Sequence, residues 1–140
     1  MLLELESLRK AVTALNEALA MSDDADFMNR LPKARQDTVK AGVIHAFEFT
    51  YELCWKFMKR WLDLNVSPNA TGAMTRRALF RLAGESGLID DVERWFRHHE
   101  ARNQTANTYQ AAIAESVCVV AHDFARDAAA LLKTLEAHND

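Results

Sequence analysis

The sequence predicts an all-α protein, an up-and-down bundle of four to five helices folded as one domain over residues 1–140. Two observations carry that prediction. Long segments repeat apolar residues at alternating steps of three and four, the period of one helix face. Only 4 Gly and 2 Pro punctuate the chain, too few for the turns of a many-stranded sheet. With 49% hydrophobic and 26% charged side chains, the chain has the balance of a soluble globular protein with a real core. No segment requires a strand, and short connections make sequential helices antiparallel neighbours.

The first stripe is Met1, Leu5, Leu8, Val12, Leu15 and Leu19, a helix running to about residue 20. Glu4, Glu6, Arg9, Lys10 and Glu17 fall off the stripe and face water. Met21 to Asn29 reads as a polar link in which Ser22, Asp23, Asp24 or Asp26 can cap the next helix. Pro32 suits a first helical turn, and residues 32–64 read as one long helix, loosened at Gly42. Val43, Phe47, Thr50, Cys54, Phe57, Trp61 and Leu64 form one stripe on it; Ile44, Tyr51, Trp55, Met58 and Leu62 form a second beside it. Such a wide apolar face belongs to a central helix with neighbours on two sides.

Asn65 to Gly72, with Ser67-Pro68-Asn69 and Thr71-Gly72, is a loop. A short helix is expected from Ala73 to about Glu85, with Met74, Ala78, Leu79 and Leu82 inward and Arg77 and Arg81 outward. Gly84 and Gly87 end it. Asp90 and Glu93 resemble a capping box for a helix through Trp95, Phe96 and His99, which the polar stretch 102–108 then interrupts. The last helix, from about Thr108 to Ala137, turns Ile113, Val117, Val120, Phe124, Leu131 and Leu135 inward.

Charge and composition narrow the function classes. A formal net charge of −3 does not imply wholesale nucleic-acid binding. Residues 76–102, however, hold six arginines against five carboxylates, either a local basic surface or a solvated mixed-charge face. No apolar run has the length of a membrane span, and the N-terminus alternates Leu with Glu rather than forming a signal-peptide core. Cys54 and Cys118 sit in apolar helical patterns without a CxxC pair, which suits reduced thiols in the cytoplasm and gives no zinc site.

The chemistry-bearing stretch is Glu100 to Tyr109, Glu-Ala-Arg-Asn-Gln-Thr-Ala-Asn-Thr-Tyr. Arg102 can hold phosphate through a bidentate fork, Asn103 and Asn107 can donate and accept, and Tyr109 adds a hydroxyl on a ring. The same residues could make nothing more than a polar turn with a helix cap. Upstream, His45, Glu48 and Glu52 share a face at metal-ligand spacing. A di-metal bundle needs matching Glu-x-x-His motifs on other helices, and Glu115, His122 and Asp123 have the wrong spacing, so no metal is expected. Glu52 is placed for an i,i+4 ion pair with Lys56, and Glu48 for a hydrogen bond inside the bundle or a basic neighbour.

Three segments together resemble a known family. Ala46-Phe47-Glu48-Phe49-Thr50-Tyr51-Glu52-Leu53-Cys54-Trp55-Lys56 is similar to the FE-x-x-x-E-x-x-WK signature of the nucleotidyltransferase substrate-binding family of the HEPN superfamily. Ala78 to Ile89 resembles its helix, glycine and Leu-Ile segment. Arg102 to Tyr109 resembles its Arg-Asn-x-x-x-His-x-Tyr hallmark, with Asn107 at the histidine position.

The resemblance implies a small cytoplasmic helical bundle that forms a homodimer and partners a minimal nucleotidyltransferase. In the toxin–antitoxin branch of that family, the HEPN protein is a metal-independent ribonuclease, silenced when its partner transfers AMP onto the motif tyrosine. On this chain Tyr109 is then the AMP acceptor, Arg102 and Asn107 hold the catalytic positions, and Asn103, Glu48, Glu52, Lys56 and Thr108 line the binding site. ATP and Mg2+ belong to the partner, and this chain needs no cofactor of its own. RNA cleavage without metal needs a base for the 2′-hydroxyl and a cation for the phosphate. Arg102 supplies the cation, but an amide does not titrate near neutral pH, so Asn107 predicts weak or absent ribonuclease activity. Tyr109 could instead only pack at a helix start, and Arg102 could form a structural pair with Glu48 or Glu52.

Overall fold

The computed structural model describes residues 2–139 and is all-helical over them: α1 (Glu6–Asp23), α2 (Ala25–Asn29), α3 (Lys33–Asn65), α4 (Arg76–Glu85), α5 (Val92–Gln104) and α6 (Ala111–Ala137). A 3₁₀ turn, Thr105–Asn107, separates α5 from α6. Met1, placed on the first stripe, lies outside the described residues. The other stripe residues, Leu5, Leu8, Val12, Leu15 and Leu19, are all buried.

The expected polar link is itself helical. Helix α1 continues to Asp23, and Asp24 caps the short α2 by accepting from the Phe27 N–H at 3.0 Å, which brings the helices to six. Pro32 is the residue just before α3 rather than inside its first turn. Helix α3 then runs 33 residues, about 50 Å, without a break at Gly42. It is the central helix of the bundle, packed most extensively on α1 and α6 and also on α4 and α5. Its two stripes go inside as expected, except at the C-terminal end, where Leu64 emerges into solvent.

Helix α4 starts three residues later than expected. Thr75 caps it by accepting from Ala78 N–H at 3.1 Å, which leaves Met74 in the preceding turn and 40% exposed. The inward face is Leu79, Phe80 and Ala83, with Ala78 and Leu82 half-buried, because Phe80 packs against Tyr51 and Trp95. Gly87, at φ +77°, terminates the helix, with Leu88 N–H bonded back to the Ala83 carbonyl in a Schellman arrangement. Gly84 does not end it. It is a contact point, where an added Cβ would come within 2.5 Å of Val92 Cγ2. The cap of α5 is Asp91, one residue beyond the expected Asp90, because Asp91 Oδ1 reaches the Arg94 N–H at 3.1 Å.

Four helices meet around Phe124 of α6. Its ring takes Phe47 edge-on at 5.0 Å, His98 at 5.2 Å and Trp95 at 5.8 Å. Tyr51 and Phe80 complete this aromatic centre, both fully buried. Beside it Asp127, on α6, accepts from Arg94 Nε at 3.0 Å, Arg94 Nη2 at 2.8 Å and His98 Nε2 at 2.7 Å, fastening α5 to α6. Cys54 is buried and Cys118 half-buried, both as free thiols. Among the described residues no helix is long and apolar enough to cross a membrane.

Candidate functional site

Arg102 sits in the last turn of α5, not in a break after it, since the helix persists through Gln104. A cation there favours the negative end of the helix dipole. Thr105, three residues on, locks the turn. Its hydroxyl donates to the Arg102 carbonyl at 2.7 Å and accepts from Arg102 Nη1 at 2.9 Å. Thr108 repeats the pattern more weakly, its hydroxyl donating to the Thr105 carbonyl at 3.3 Å. The chain is thus wound into a tight 3₁₀ turn over Thr105–Asn107, and Tyr109 follows in the turn beyond it.

The guanidinium reaches across to α3. Nη1 lies 3.3 Å from Glu48 Oε2, and Nε lies 3.3 Å from Glu52 Oε1. The Nε contact is off the hydrogen-bond line, so this buried N–H has no proper acceptor. Glu48 and Glu52 are one helical turn apart on one face, which is why one arginine can span both. The expected Glu52–Lys56 ion pair is not formed. Glu52 Oε2 accepts instead from Trp55 Nε1 at 3.0 Å, while Lys56 is exposed with its ammonium 5.7 Å from the Trp55 ring. His45 is exposed beside α1, while Glu48 and Glu52 are both engaged by Arg102.

The remaining site residues stand outward. Tyr109 is 81% exposed, and Asn103 and Asn107 are exposed as well. Thr108, Tyr109 and Glu48 border a groove of about 490 Å³ between α3 and the start of α6, across which Lys40 bonds Glu115 at 2.5 Å. Neither histidine upstream of the motif replaces the imidazole that Asn107 lacks. Burial pushes His98 below the usual histidine range despite its bond to Asp127. His99 is likewise lowered, first by burial, and its Nδ1 is bonded to the Tyr51 hydroxyl at 2.7 Å.

The arrangement is a phenol presented to solvent on a turn that an arginine clamps to the central helix. Arg102 faces two carboxylates and a hydroxyl, so in this conformation it is a clamp rather than an open phosphate fork. Thr105 has no role of its own in the sequence analysis, and Trp55 appears there only on an apolar stripe and in the family signature, not as a partner of Glu52. Their signal was spacing: each lies three residues along a helix or helical turn from the group it orients.

Comparison with known proteins bears on the family and the fold. Residues 3–137 match the family described as nucleotidyltransferase substrate-binding-protein-like. A Haemophilus influenzae protein named probable ribonuclease HepT is 33% identical over 138 residues, spanning 98% of this chain and 94% of its own length. A solved Haemophilus influenzae structure, described as revealing the fold of a substrate-binding domain of a nucleotidyltransferase, is similar with a TM-score of 0.91 at 33% identity. It covers 95% of this chain and 99% of its own. A Thermus thermophilus structure, 23% identical with a TM-score of 0.72 over 91% of this chain and 98% of its own, shares the fold.

Proposed function

Because this chain belongs to the family of nucleotidyltransferase substrate-binding-like proteins, we propose that it is the helical partner of a separate minimal nucleotidyltransferase and offers Tyr109 to it as an AMP acceptor. The observation that carries the reading is the exposure of Tyr109, 81% open at the tip of a turn whose base is pinned to α3. A tyrosine kept for packing would be buried; an acceptor must enter another enzyme's active site. The phenol oxygen attacks the α-phosphate of ATP, the bond to the β-phosphate oxygen breaks, and pyrophosphate leaves as the phenolic proton passes to the partner's base. ATP and Mg2+ are held by the partner.

Mass spectrometry after incubation with ATP, magnesium and the partner enzyme tests this. AMP-sized increments are expected on the wild type and none on Tyr109→Phe. Increments that persist in that variant, or their absence from the wild type, overturn the reading.

A second reading, ribonuclease action, is supported by the name of the Haemophilus relative. Asn107 weighs against it, because an exposed amide at the motif's base position cannot take a proton from a 2′-hydroxyl near neutral pH. RNA left intact in EDTA by the wild type, and cleaved by Asn107→His, is the expected outcome. Cleavage by the wild type would assign the base to another group.

A further inference from the structure

A second concave site lies farther along α3, away from Tyr109. It is an open cavity of about 450 Å³ bounded by the α3 face at Trp55 and Lys59, the connection leading into α4, the start of α4 and His99 of α5. Its walls are cationic. Arg76 lays its guanidinium flat on the Trp55 ring, 3.4 Å from the centroid, and its Nε is buried without a partner. Arg77 and Arg81, outside the cavity lining, stack on Phe96 at 4.4 and 5.4 Å. Among the described residues none of these three arginines has a carboxylate within ion-pairing distance.

The remaining groups around the cavity are donors held in place. Lys59 Nζ bonds the Thr71 hydroxyl at 2.7 Å, and the nearest carboxylate, Asp63, is 3.5 Å away. Asp63 takes the Thr71 N–H at 2.9 Å and hydroxyl at 2.8 Å on Oδ1, which fixes the connection, and meets Lys59 through Oδ2. Burial keeps the Tyr51 phenol protonated, so it donates to His99 Nδ1 and leaves Nε2–H as the imidazole's remaining donor on the cavity it lines. Stacked arginines lose little freedom when their N–H edges take up an anion, and guanidinium edges match phosphate oxygens in pairs.

We propose that this cavity binds the di- or triphosphate group of a nucleotide, held by Arg76, Lys59 and His99. Arg76 without a carboxylate, the Lys59 ammonium and the His99 imidazole reach this one open cavity from three helices, and donors converging in that way suit the many oxygens of a phosphate chain better than a single carboxylate. The inference does not rest on Tyr109 being an acceptor. The two sites touch through one side chain, Glu52, which takes the Trp55 N–H on one oxygen and faces Arg102 with the other.

Isothermal titration calorimetry of the whole protein with ATP, and separately with inorganic tripolyphosphate, tests it at low ionic strength without added metal. We expect binding, weakened about tenfold or more by Arg76→Gln and by Lys59→Met, the loss of a charge-assisted contact. Equal affinities for the two probes assign recognition to the phosphate chain, and tighter ATP adds the nucleoside; both support the site. No binding of either probe, or unchanged binding by both variants, overturns it. The wild type gives an independent readout by NMR. The His99 imidazole should shift on titration while His45 and His122, away from the cavity, should not, and uniform shifts of all three would mean diffuse surface attraction and sink the proposal. Neither readout involves Tyr109, so failure here is distinguishable from failure of the acceptor reading.

Discussion

Truncating Arg102 to alanine should uncouple the motif turn from the central helix. The guanidinium makes two ion-pair contacts of 3.3 Å with Glu48 and Glu52, and all three side chains are about one-third exposed. Screening at that exposure limits each pair to roughly 0.2–1 kcal/mol. The bond to the Thr105 hydroxyl adds about 1 kcal/mol. Removing the cation also leaves Glu48 and Glu52 facing each other one turn apart, a repulsion of about 0.2–0.5 kcal/mol. The expected loss is therefore about 2 kcal/mol, read as a lower urea midpoint with an unchanged slope. A double-mutant cycle with Glu52→Gln should return a coupling of about 0.5 kcal/mol or more that shrinks as salt is added. Arg102→Lys should recover less than half, since a point charge cannot span both carboxylates and the threonine. An alanine variant within about 0.5 kcal/mol of the wild type, with no coupling, would refute the clamp.

Two glycines of α3 and α4 should respond oppositely to alanine. Gly42 is exposed in mid-helix with no atom within 4 Å of an added Cβ, so Gly42→Ala should stabilise by about 0.5–1 kcal/mol. Gly84→Ala drives a methyl to 2.5 Å from Val92 Cγ2, and overpacking there should cost about 1–3 kcal/mol; urea unfolding of both checks the pair. His98 should make stability depend on pH. Burial holds its folded pKa below the unfolded value of about 6.5, so its contribution is present above that pH and is lost as pH falls towards the folded pKa. The urea midpoint of the wild type relative to His98→Gln should drop between about pH 7.5 and pH 5, and a difference that stays flat would mean that His98 is not buried neutral. Comparing against a variant isolates it from His122, which Asp23 raises and which acts in the opposite sense.

The expected and observed sites differ at individual residues. Arg102, Asn107 and Tyr109 were legible because their side-chain chemistry has no use in a bundle core, and the turn they occupy was visible as a shortage of helix formers. By itself that shortage predicts an interruption from residue 102, whereas α5 persists to Gln104 because the Arg102 contacts to α3 and the Thr105 bonds stabilise its last turn. The Glu52–Lys56 pair failed for a similar reason. Spacing on one helix offers Lys56 as a partner, but Trp55 and Arg102 compete for the same carboxylate with fixed geometry, while Lys56 gains little by leaving water. Cap positions slipped by one to three residues at Thr75 and Asp91, since neighbouring polar residues can each cap and only the packing of Phe80 and Trp95 selects the register.

The sequence by itself determined the all-helical class, the long central helix, nearly all of the core faces and the family, because apolar periodicity and residue chemistry are local properties. The tertiary structure alone decided what the charges do. It turned Arg102 from a free fork into a clamp between two glutamates, left Tyr109 in water, withdrew His98 to Asp127 and His99 to Tyr51, and gathered Lys59, Arg76 and His99 around one cavity. Those partners are far apart in the chain, and which of them a charged group meets depends on how the helices pack, a relation that no local pattern in the sequence encodes.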